Sequence, residues 1–161
     1  DLIRDVRLKI GRIEIDIAAM NPALEYETFA YTGGQIIHTE HALAIADIDP
    51  GQVDASHWAG AHPEEVLRDP AERARFLQIM SLDELNELAV HVRVASATWN
   101  DNGVIIGQGC FPHQCNTSNG MWAIDIAAGK ATALINDNGQ IRTFGAPFAQ
   151  LHWRFHEAYS K

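Results

Sequence analysis

Val6, Leu8 and Ile10 alternate with polar residues at the start of the chain, and Ile13, Ile15 and Ile17 carry the alternation on in the opposite phase. A period of two is the mark of a strand with one face buried. The phase slip at Gly11-Arg12 reads as a β-bulge inside one long strand, because an extra residue returns the apolar side chains to the core face. Met20-Asn21-Pro22 ends that run, and Tyr26, Phe29 and Tyr31 lead into Thr32-Gly33-Gly34, which predicts a turn. Over Gln35 to Ala46 the apolar positions Ile36, Ile37, Ala42, Leu43 and Ile45 fit a short helix or a buried strand, and the strand is preferred.

Asp47 to His62 reads as a loop that turns at Asp49-Pro50-Gly51 and closes at His57-Trp58-Ala59-Gly60. A helix is predicted from Pro63, with Glu64 and Glu65 facing the positive end of its dipole and Pro70 interrupting it. Ser81-Leu82-Asp83-Glu84 has the form of a capping box, followed by Leu82, Leu85, Leu88 and Ala89 on one helical face. Beyond Val90 the pattern becomes a meander, with strands predicted at His91 to Ser96, Val104 to Gly109, Met121 to Ile126, Ala131 to Ile135, Gln140 to Phe144 and Leu151 to Tyr159. The connectors Asn100-Asp101-Asn102-Gly103, Ala127-Ala128-Gly129-Lys130 and Asn136-Asp137-Asn138-Gly139 carry residues that accept a positive φ, as short hairpins require. The fold class is therefore α+β: an antiparallel meander packed on one face by helices, within a single domain spanning residues 1–161.

Composition narrows the function classes. The chain of 161 residues has a net charge of −9, the wrong sign for a nucleic-acid binder and the right one for a basic protein partner. No apolar run approaches the ~20 residues that span a bilayer. Asp1 opens the sequence without a signal peptide, consistent with a trimmed chain. The two cysteines fit one disulfide in an oxidising compartment, the other reading being a reduced pair in the cytosol.

Those cysteines stand in Cys110-Phe111-Pro112-His113-Gln114-Cys115. A bond between them requires the chain to turn back on itself, and Pro112 supplies a fixed φ for that turn. So small a ring adds about 2 kcal/mol of global stability by the loop-entropy formula, so its value is local: it stiffens the residues around one exposed imidazole. The Cys-x-Pro-His-x-Cys loop, preceded by the strand Val104–Gly109 and followed by Met121–Ile126 and Ala131–Ile135, resembles the Ivy-type inhibitors of vertebrate lysozyme. The resemblance covers about residues 92–144 and leaves 1–90 as an extension of unknown role. It implies a proteinaceous inhibitor in which His113 probes a glycosidase cleft, Cys110 and Cys115 hold the loop, and Phe111 and Pro112 shape its rim. It also implies a periplasmic or secreted protein whose partner is a lysozyme or related peptidoglycan hydrolase, and a homodimer. The family loop usually has an acid before its second cysteine, where this chain has Gln114. With the long extension, that difference keeps open a second class, an immunity or binding protein against another cell-wall hydrolase or a toxin.

Eight histidines raise the question of a metal. His38-Thr39-Glu40-His41 offers the His-x-Glu half of a zinc deaminase, in which the glutamate shuttles protons, but the Pro-Cys-x-x-Cys half is missing. A zinc enzyme using His38 and Glu40 is thus the lesser alternative, and the sequence predicts neither metal nor cofactor. His57 and His62 flank Trp58 in a loop packed by its own aromatic, and His152 and His156 share one face of the last predicted strand. No Gly-rich phosphate loop is present, since Thr32-Gly33-Gly34 lacks a following lysine.

Overall fold

The computed structural model describes residues 3–9 and 11–159. The chain divides into two compact units, Asp1–Ala44 and Ile45–Lys161. In the first, β1 (Ile3–Lys9), β2 (Arg12–Ala18), β3 (Leu24–Thr32) and β4 (Gln35–Ala42) form a four-stranded antiparallel sheet in chain order. The phase slip at Gly11 is a hairpin turn and not a bulge: Lys9 pairs with Arg12, Leu8 with Ile13 and Val6 with Ile15. This register pairs even positions with odd ones, so the apolar positions must change phase for both strands to present them on one face. Gly11 takes the left-handed φ of +73° that such a turn needs. The expectation for Ile10 lies outside the described residues. Val6, Leu8, Ile13 and Ile36 on that face are exposed, while the opposite face carries an ionic cluster in which Arg7 reaches Glu14 at 3.2 Å and Asp16 at 2.8 Å.

The second unit begins with the expected loop, which holds short 3-10 turns at Pro50–Gln52 and Ser56–Trp58. Three helices follow: α1 (Pro63–Arg68), α2 (Pro70–Phe76) and α3 (Leu82–His91). Pro70 ends α1 and occupies the first position of α2, where its missing N–H costs nothing. Asp69 caps that helix by accepting from the backbone of Ala71 at 2.8 Å and Glu72 at 3.1 Å. Both halves of the Ser81–Glu84 capping box are formed. Among the described residues no helix is long and apolar enough to cross a membrane.

A six-stranded antiparallel sheet forms the rest: β5 (Val94–Ala95), β6 (Trp99–Asp101), β7 (Val104–Cys110), β8 (Ser118–Asp125), β9 (Lys130–Asp137) and β10 (Gln140–Phe144). The order is β10-β9-β8-β7, with β5 and β6 both pairing the outer edge of β7. The three connectors read as hairpin turns are turns, with Asn102 and Asn138 at positive φ. One sheet face, through Ile105, Trp122, Ile124, Ala133 and Ile135, packs on Val66, Leu67, Phe76, Leu85 and Leu88 of the helices. Gly107 is required by that packing, because a Cβ there would fall on the Trp122 indole.

The α+β class holds, with two corrections to its elements. His91 to Ser96 is not a strand throughout: α3 runs to His91 and only Val94–Ala95 pairs with β7. Leu151 to Tyr159 is not a strand either, but contains a short helix, α4 (Trp153–Tyr159). Leu151 at 5% and Phe155 at 0% exposure face inward together while Trp153 at 50% does not, which is helical spacing and not alternation. Leu151 and Phe155 pack with Ile106, Met121 and Leu134 on the second sheet face, so helices stand on both sides of the sheet.

Candidate functional site

The connection from β7 to β8 is the segment Phe111–Thr117, and it is the cysteine loop. Cys110 ends β7 and Cys115 lies past the tip; the two are joined by a disulfide across a Cα separation of 4.8 Å. Phe111 N–H donates to the Ser118 carbonyl at 2.9 Å, Gln114 N–H to the Phe111 carbonyl at 3.0 Å, and Ser118 N–H to the Gln114 carbonyl at 2.8 Å. These bonds close the base of the loop on itself. The half-buried Phe111 ring stands edge-on to His91 with centroids 5.6 Å apart, and the Asn138 N–H of the neighbouring turn donates to the Thr117 carbonyl at 2.8 Å. The base is therefore fixed from both sides.

The tip differs. His113 is exposed, makes no hydrogen bond to a described residue, and adopts a φ of +65°. A residue with a Cβ pays about 1 kcal/mol for that conformation, although His accepts it more readily than most. The result is an imidazole held outward at the apex of a cross-linked turn with both ring nitrogens available. Gln114 is turned toward the base of the loop: its amide oxygen lies 3.3 Å from the buried Ser118 hydroxyl, which in turn lies 3.0 Å from Asp137 Oδ1.

The other candidates each have partners within their own unit. His38 and Glu40 lie on β4 with Glu27 facing them from β3, and the three offer ligand atoms within 4.8 Å of one another. His38 Nε2 is 2.9 Å from Glu27 Oε1, and its ring stacks on Phe29 at 4.5 Å. His41 lies 2.9 Å from the Thr28 hydroxyl and stacks on Tyr26. The thiolates that a deaminase site would need are consumed in the Cys110–Cys115 bond. His62 caps α1, accepting from Glu64 N–H at 3.3 Å, and Trp58 donates to Glu72 at 3.1 Å, so that loop is packed by its aromatic as expected. His152 accepts from Arg154 N–H at 3.4 Å and His156 stands edge-on to Phe148.

One element bearing on the loop was not found from the sequence. His91, which the sequence pattern puts in a strand, closes α3 and supports Phe111; the capping box points to the helix start, but no signal marks its end.

Residues 71–153 match the model of a protein family described as inhibitor of vertebrate lysozyme (Ivy). The match covers just over half of the 161 residues and runs from α2 through the whole sheet, the cysteine loop included. No curated protein and no solved structure matches the chain.

Proposed function

The chain belongs to the Ivy family of inhibitors of vertebrate lysozyme, and from that premise we propose that it inhibits its target by inserting the Cys110–Cys115 loop, His113 foremost, into the glycosidase cleft. The observation that carries this reading is the contrast within the loop: a base fixed by backbone bonds and Phe111, and an apex whose imidazole has no hydrogen-bond partner among the described residues. Lysozyme-type glycosidases hold one protonated and one ionised carboxyl on either side of the scissile bond. Imidazole has two nitrogens on opposite edges of a flat ring and can hydrogen-bond to both at once. Because the ring and the base are already ordered, little conformational freedom is lost when the tip enters. The net charge of −9 speeds encounter with a basic enzyme in a salt-dependent manner.

The disulfide fits an oxidising compartment and supports action in the periplasm or outside the cell. The role is binding, not catalysis. The test compares the parent with His113→Ala in lysis of a peptidoglycan suspension by a panel of lysozymes and other cell-wall hydrolases. Loss of a central anchor costs roughly 2 to 4 kcal/mol, so inhibition of the responsive enzyme weakens roughly thirty- to a thousand-fold. His156→Ala, remote from the loop in sequence, keeps parental inhibition. Equal inhibition by His113→Ala and the parent refutes insertion by this loop.

A further inference from the structure

The second face of the C-terminal sheet is only partly covered by α4, and the part left open is a groove of about 850 Å³ bordered by the disulfide. Strand register builds its floor. Cys110 pairs with Asn119 and Asn119 with Asn136, so their side chains stand in one row across β7, β8 and β9. Gln108, two residues back along β7, stands on the same face. Trp99 from β6 and Tyr159 from α4 also line the groove.

The amides are oriented relative to one another. Asn136 Oδ1 accepts the Gly139 N–H at 3.0 Å, and Asn136 Nδ2 donates to Asn119 Oδ1 at 3.4 Å. That chain leaves the Asn119 NH₂ as a donor, while the Gln108 amide makes no hydrogen bond to a described residue and offers both a donor and an acceptor. The Tyr159 hydroxyl is buried without a partner among the described residues, and burial pushes its pKa up, so it stays neutral.

This lining discriminates among ligands. Among the described residues no charged side chain lines the groove, so none of them compensates an ionic ligand. A wholly apolar ligand would strand the amides without partners. A peptide adding as a strand would pair with the edge strands β10 or β5 and leave the amide row unused, because that row stands on the face of β8 and β9, which are paired on both sides. A pyranose ring answers each demand: its hydroxyls donate and accept like water, and its C–H faces pack on aromatic rings. We infer that this groove is a binding site for a neutral saccharide, independent of the His113 reading.

The experiment titrates the folded protein with chitotriose and, separately, with maltotriose, following heat by calorimetry and the side-chain amide signals of Gln108, Asn119 and Asn136 by NMR. Saturable binding of at least one trisaccharide with a Kd at or below about 1 mM, with those amides shifting, is expected. Gln108→Ala alters an exposed side chain and leaves folding intact, while Asn119→Ala is checked for a parental melting curve; each weakens binding about tenfold. His113→Ala binds sugar as the parent does, which separates this site from the inhibitory loop. Failure of both sugars to saturate, or binding that both amide variants leave unchanged, overturns the assignment.

Discussion

Removing the disulfide with Cys110→Ser and Cys115→Ser together separates what the ring does for the fold from what it does for recognition. The cross-link closes a sequence separation of 5, which the loop-entropy relation converts to about 2 kcal/mol of stability lost on its removal. In urea this appears as a lower midpoint with an unchanged slope, since the core is untouched. The effect on inhibition comes from different residues. Phe111, Gln114 and Ser118 retain their backbone bonds without the ring. Pro112 and His113 at the apex have no such bond to a described residue, and His113 must also be held at φ +65°. With the ring gone, ordering those two residues is deferred to the binding step. Backbone ordering costs about 1–2 kcal/mol per residue, and the fixed φ of Pro112 removes much of one share. A net penalty of about 1–2 kcal/mol weakens inhibition roughly 5- to 30-fold. The assay is a titration of lysozyme-catalysed lysis beside the urea curve. Lower stability with parental inhibition would show that the ring serves the fold alone; parental values in both would refute the argument entirely.

Arg75 is buried between the Glu72 carboxylate at 2.6 Å, the Val53 carbonyl at 2.7 Å and the Gly129 carbonyl at 2.5 Å. Arg75→Met strands the buried Glu72 charge and lowers unfolding free energy by about 3–5 kcal/mol, whereas adding Glu72→Met restores much of the loss; denaturation curves of the two variants check this, and equal losses refute it. The Ser81 backbone N–H first, then its hydroxyl, hold the Glu84 carboxyl below its ordinary pKa. A pKa depressed in the folded state gives stability that is present above the unfolded value and disappears as pH falls through the folded one. On acidification below about pH 4.5 the parent therefore loses stability faster than Glu84→Gln. Parallel curves would count against that bond.

Features decided within a few residues were legible in the sequence. The capping box, the Asn-Gly turns at 102–103 and 138–139, the role of Pro70 and the loop closed by Cys110 and Cys115 each depend on local chemistry, and all are present. Elements decided by a distant partner were misread. A bulge and a tight hairpin both shift the apolar phase by one, and only the pairing of Leu8 with Ile13 separates them. At the other end, Leu151 and Phe155 stand four apart, a spacing that alternation and helical periodicity share. The helix is supported from outside that pattern, by Arg154 reaching Asp101 in β6 at 2.8 Å as well as Glu157 one turn on at 2.9 Å.

The same distinction separates the two surfaces that meet at the disulfide. The cysteine loop is six consecutive residues, so its chemistry is visible in the sequence itself. The groove is assembled from Gln108, Asn119 and Asn136, three amides on three strands that form a row only through the registers of β7 with β8 and of β8 with β9. Singly, each is an ordinary polar residue in a strand. A slip of one residue in either pairing would turn amides to the opposite face, among Trp122, Ile124 and the helices, where they would be buried without partners. The hydrophobic packing of the first face therefore fixes the position of the polar row on the second. Conservative changes at Trp122 or Ile124 that loosen the register are expected to disturb the groove before they disturb the loop, whose cross-link and base bonds are local.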